Sequence, residues 1–120
     1  MFMHRRFAAL AATALFAGCS GSTEPKQADT IGGSATATAI DVNMPGVVYT
    51  PSHIDIAQGG VIRFIFAAVA HDVRFNGAAG APADVLVTSN TTVARTFSTK
   101  GTFAFLCTLH DNMTGTVVVH

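Results

Sequence analysis

Charge is what this sequence has least of. Only 12% of its 120 residues are charged, seven Lys and Arg balance seven Asp and Glu, and beyond Arg5 and Arg6 no two basic residues are neighbours. That argues against nucleic acid as a partner, since binding it requires a concentrated positive face. Trp is absent, whereas nine Phe and many Val, Ile and Thr favour β structure over helix. Cysteine occurs only at Cys19 and Cys107, too sparse for a disulfide framework. The N-terminal apolar stretch, Phe7 to Ala17, is about 11 residues long. A bilayer span needs about 20, so no permanent transmembrane helix is expected there.

What the first residues do contain is an export pattern. Arg5 and Arg6 precede the apolar stretch, and small residues lead to Cys19, which is the basic, apolar, small order of a secretory signal over residues 1–18. Phe16-Ala17-Gly18-Cys19 resembles a bacterial lipobox, with Phe16 where Leu is usual; an ordinary signal with an incidental Cys is the alternative. On the lipobox reading Cys19 is lipidated and anchors the chain to a membrane, on the periplasmic or extracellular face. Ser20 lacks an acidic retention signal, which favours an outer membrane where two exist. Residues 19–35 then read as the lipidated Cys and a flexible tether, with a reach of roughly 20 Å. Cys107 is left as a single thiol in an oxidising compartment, and a metal would account for it.

The remaining residues, 36–120, suffice for one domain. Strands are expected near Thr36–Val42, Ser52–Ala57, Val61–Ala67, His71–Phe75, Val85–Val87, Thr91–Phe97, Thr102–Cys107 and Thr116–His120. Met44-Pro45-Gly46, Gly59-Gly60, Asn76–Ala83 and Lys100-Gly101 break them. Short strands at regular spacing predict an all-β fold, a two-sheet Greek-key sandwich. Alternation turns His71, Val73 and Phe75 inward, with Phe103, Phe105 and Cys107. It turns Asp72 and Arg74 outward, along with His53 and Asp55. Asp72 and Asp111 read as surface charges, His53 as a solvated strand residue and His120 as exposed. Arg95 shares the parity of Val93 and Phe97, which fits an edge or a bulge with its stem along the surface.

The segment Cys107-Thr108-Leu109-His110-Asp111-Asn112-Met113 spaces a thiolate, an imidazole and a thioether three residues apart. These soft and borderline donors suit copper rather than calcium or magnesium. Two His, one Cys and a weak axial Met form the ligand set of blue-copper sites, and the inward-facing His71 is the candidate for the second His. Zinc would use similar residues but favours closed Cys/His sets and seldom takes Met. Taken alone, a Met such as Met113 is more often core filler than a ligand.

Residues Asp41 to Val119 resemble a cupredoxin of the plastocyanin, pseudoazurin and amicyanin group. The likeness rests on Tyr49-Thr50-Pro51 before Ile54 and Ile56, Gly59 to Phe64, His71-Asp72-Val73 and Lys100-Gly101-Thr102-Phe103. It continues through Cys107 to Met113, Gly115 and Val117-Val118-Val119, and the short C-x-x-H-x-x-M loop is most similar to amicyanin. The resemblance implies one copper ion cycling between Cu(I) and Cu(II), with His71, Cys107 and His110 equatorial and Met113 axial. Asp72 departs from the Asn usual beside the first His, which helps tie the His segment to the Cys loop. This leaves the reduction potential open but not the ligand set.

The resulting expectation is an electron carrier, not an enzyme: the chain has neither a Ser/His/Asp set nor a second metal cluster. Its partner would be a redox protein (a cytochrome, dehydrogenase or oxidase) docking transiently near an exposed His110 edge. Leu109, Met113, Met44-Pro45-Gly46 and the loop Asn76–Ala83 are expected to form an apolar collar there. A copper-binding module for storage or delivery is the alternative.

Overall fold

The computed structural model describes residues 30–120. The expected signal, Cys19 and all but the end of the tether lie outside the described residues. Within them the chain is all-β, nine strands arranged as a sandwich. One sheet takes β1 (Ile31–Gly33), β3 (His53–Ile56), β9 (Thr114–Val119) and β8 (Gly101–Leu106) in that spatial order. The other takes β2 (Ala39–Asn43), β4 (Gly60–Phe66) and β7 (Thr91–Phe97), and β5 (His71–Val73) pairs with β6 (Val85–Thr88) as a separate ribbon.

Every strand expected from the sequence is present within a few residues of its anticipated ends, but β1 is an addition. It lies inside the segment expected to be tether and pairs in parallel with β3, Ile31 opposite His53. Gly32 explains why so short a strand can dock: a Cβ there would collide with the Pro51 ring.

The inward-facing series pack as alternation requires. Ile54, Ile56, Ile62, Phe64, Phe97 and Val117 are fully buried between the sheets, each contributing about 1.5–3 kcal/mol by leaving water. Phe105 sits at the centre, edge-on to Tyr49 with ring centroids 4.8 Å apart and to Phe64 at 5.8 Å. Edge-to-face pairs of this kind contribute about 0.5–1.5 kcal/mol beyond the buried area. Gly115, directly opposite Phe105 in the β8–β9 pairing, leaves room for the ring.

One outward assignment fails. Asp72 is fully buried and β5 is covered on both faces, because the ribbon is wedged against the Cys107 loop instead of standing open at a sheet surface. The collar expected around the Cys107 end is also reduced. Met44 and Met113 belong to the core, at 2% and 1% exposure. Gly80 packs on Thr99, beside the turn that enters β8, so the Asn76–Ala83 loop runs towards the end opposite Cys107. Arg95 lies on the edge strand β7 as expected, donating from Nε to the Ala83 carbonyl at 2.7 Å and from Nη2 to the Asp84 carbonyl at 2.9 Å.

Candidate metal centre

Strands β5 and β8, distant in sequence, are joined where each ends. The Arg74 amide donates to the Leu106 carbonyl at 2.9 Å, and the Leu106 amide returns a bond to Arg74 at 3.1 Å. This two-way bridge sets His71, at the start of β5, near Cys107, just past β8. The chain beyond Cys107 then closes on itself: the Cys107 amide donates to the Met113 carbonyl at 2.9 Å. Asn112 makes that possible by taking a left-handed conformation, φ 59°, which Asn tolerates better than most residues.

The result is a cluster of three donors. The ligand atoms of His71, Cys107 and His110 all lie within 4.8 Å of one another. Cys107 Sγ is 3.9 Å from His71 Nδ1 and 3.6 Å from His110 Nδ1. Both imidazoles therefore turn the same nitrogen towards the sulfur. Three donors spread in a plane at about 120°, with lengths of about 2.3 Å to sulfur and 2.0 Å to nitrogen as for a first-row ion such as zinc, would hold S and N about 3.7 Å apart. The observed sulfur–nitrogen separations fall on either side of that value, and all three donor atoms lie within 4.8 Å of one another, close enough to converge on one ion. The thiol and two imidazoles suit copper or zinc by softness. Met113 is buried at the end of the same closed loop.

Electrostatics favours the ligand form of His71. Burial lowers its pKa below the ordinary value and the neighbouring His110 adds to this, against weaker opposite pulls from the Gly46 carbonyl and Asp72. A neutral imidazole binds a metal; an imidazolium does not. The contact with Gly46 falls short of a hydrogen bond, and Nε2 of His71 is buried without a partner. His110 is half-buried, its Nδ1 directed inward.

The polar support behind these donors comes from Asp72, which alternation had turned outward, at the position where the family resemblance places a tie between the His segment and the Cys loop. The Asp72 carboxylate accepts from the Thr108 amide at 2.7 Å, from the Thr108 hydroxyl at 2.6 Å and from Arg74 Nε at 2.8 Å. Burial alone would push its pKa up; the bonds from Thr108 and Arg74, with a smaller contribution from the Cys107 thiol, outweigh that and hold it below the ordinary carboxylate value. The Tyr49 hydroxyl donates to the Asp72 carbonyl at 2.7 Å. One signal was available: two charged residues of opposite sign, two apart, in a strand otherwise made of inward-facing residues. His53, read as solvated, is partly covered and lies 3.7 Å from Asp55 two residues along β3, whereas His120 is exposed as expected and meets Asp55 at 2.6 Å.

Comparison with known proteins gives a consistent result. The profile of the family described as copper binding proteins, plastocyanin/azurin family, matches residues 35–120. Among solved structures, the chain is similar to the reduced Cu(I) form at pH 4 of a proline-to-glycine variant of amicyanin. Identity is 26%, over 72% of this chain and 90% of that one, with a TM-score of 0.61. A reduced tryptophan-to-tyrosine variant of amicyanin gives the same identity and coverage and a TM-score of 0.62. The amicyanin of Paracoccus versutus (Thiobacillus versutus), at 23% identity, 72% and 89% coverage and a TM-score of 0.59, shares the fold. No curated protein matches the chain.

Proposed function

Because the chain belongs to the plastocyanin/azurin family of copper-binding proteins, with copper as its cofactor, we propose that it carries single electrons between redox proteins outside the cytoplasm. His71, Cys107 and His110 would hold the ion, and Met113 would be a fourth, weaker donor. The observation that carries this reading is the convergence of three donor atoms within 4.8 Å, two of them on buried residues. A copper ion bound there supplies a one-electron Cu(I)/Cu(II) couple.

The chain's own residues supply rigidity. His71 is packed on all sides, and Cys107 is fixed by the Arg74–Leu106 bridge on one side and by the bond to Met113 on the other. Donors that cannot shift keep the cost of reorganisation small when the charge changes. His110, half-buried with Nδ1 turned inward, would offer the route out through the far edge of its ring. Leu109 beside it is 48% exposed; Val47, next to Gly46, and Val69, two residues before His71, are also exposed. Small apolar contacts suit brief docking of a cytochrome, dehydrogenase or oxidase, because a small interface releases its partner quickly. We read residues 1–18 as an export signal and Cys19 as a lipid anchor, from the sequence pattern alone. No substrate is turned over.

The visible spectrum of the Cu(II) protein tests the proposal. An intense thiolate-to-copper band, lost in Cys107→Ser, and reversible one-electron voltammetry with copper retained are the expected results. A colourless protein with copper bound would overturn it, and loss of copper to a competing chelator at each redox cycle would favour storage or delivery.

A further inference from the structure

The buried carboxylate behind the site carries a charge that a neutral side chain in its place would not. Asp72 accepts three hydrogen bonds on two oxygens, both donors of Thr108 and Nε of Arg74. An amide could not accept at both positions. Arg74, 28% exposed, meets Asp72 at 2.8 Å with one edge of its guanidinium and Asp84 at 3.7 Å with another. Asp84 in turn accepts from the Phe75 amide at 2.7 Å, which fixes the chain leaving β5. Thr108 directly follows Cys107, so this chain of charges ends one residue from the sulfur.

We propose that Asp72 and Arg74 act as a paired positioning and charge-setting device for the metal centre, in which Asp72 holds the Cys107 loop and Arg74 cancels the effect of its charge on the reduction potential. The inference rests on the electron-carrier reading above. A negative charge near the ion stabilises Cu(II) over Cu(I), since the oxidised centre is the more positive, and a buried charge is poorly screened by solvent and salt. Arg74 offsets this through its bond to Oδ2 of the same carboxylate. Loss of either partner should therefore move the potential, and the two losses should move it in opposite directions.

The test measures the potential of the full-length copper protein and of four variants. Arg74→Met should shift it down, Asp72→Asn should shift it up, and the double variant should return close to the native value. Arg74→Lys, which keeps the charge, should stay close to native. In the copper-free protein, exchange of the Thr108 amide with solvent should be slow in the native chain and in Arg74→Lys and faster in Asp72→Ser. If Arg74→Met fails to fold, the upward shift in Asp72→Asn and the rescue by Arg74→Lys still decide the matter. Shifts of the same sign, or none, in a native protein that is blue and reversible would overturn the inference. A native protein without the blue band would overturn the electron-carrier reading instead, leaving the Thr108 exchange as the test of the clamp.

Discussion

The amide of Cys107 and the carbonyl of Met113 are hydrogen-bonded at 2.9 Å, which makes the segment between them a closed loop whose last side chain is sealed in the core. Met113 thus packs in the core besides being the proposed fourth donor, and substitutions can separate the two roles.

Met113→Ala should destabilise the copper-free protein by about 2–5 kcal/mol, the usual range for emptying a buried Met site. Met113→Leu should cost less than about 1.5 kcal/mol because volume is conserved. Urea unfolding of the copper-free forms measures both. If Met113 is the fourth donor, as proposed, the Leu variant should still bind copper through three residues but with an altered visible spectrum.

Copper should stabilise the fold by mass action, because its donors converge only in the folded chain. At a free ion concentration of about 100 times the dissociation constant the gain is about 2.7 kcal/mol. That corresponds to a rise of roughly 10–20 °C in Tm for a domain of this size. Thermal unfolding with and without copper, and with Cys107→Ser as control, checks it. An equal rise in the control would show binding elsewhere.

Gly115→Ala should lower stability by about 1–3 kcal/mol through overpacking, since the added methyl would press into the Phe105 ring. The penalty should shrink in a Phe105→Leu background, where the obstructing ring is gone. Additive losses in the double variant would mean that the two residues do not meet.

Tyr49, the chain's one tyrosine, should resist ionisation. Burial pushes its pKa far above 10.0, with help from the nearby Cys107 and Asp72. A folded-state value raised above the unfolded one contributes stability that is present in full below about pH 10 and lost as pH rises beyond it. Tyrosinate absorbance should therefore appear only together with unfolding. A tyrosinate signal in a protein that keeps its near-ultraviolet circular dichroism would contradict this.

Much of the molecule was legible in the sequence because burial writes a period of two into each strand. His71 and Cys107 continue apolar series, so their inward direction followed from the same count that found the strands. Asp72 was not legible, since period two describes a strand with one wet face and β5 has none. Nor was β1: Ile31-Gly32-Gly33 is too short and too rich in glycine to signal a strand, and it exists because Pro51 and β3 give it a surface to lie on. The collar was overestimated because Met44 and Met113 are apolar enough to serve either a surface patch or a core, and only packing decides between them.

The parallel pairing of β9 with β3, His53 opposite Thr116 through Ile56 opposite Val119, has a consequence for the order of assembly. The hairpin that closes the Cys107 loop is seated by a strand more than fifty residues upstream, and His71 arrives from a third, separate place. No local fragment contains the site, and pairings between distant strands form late because chain entropy opposes them until most of the fold is in place. Metal capture should accordingly follow folding rather than guide it, with a half-made chain offering copper only scattered single donors.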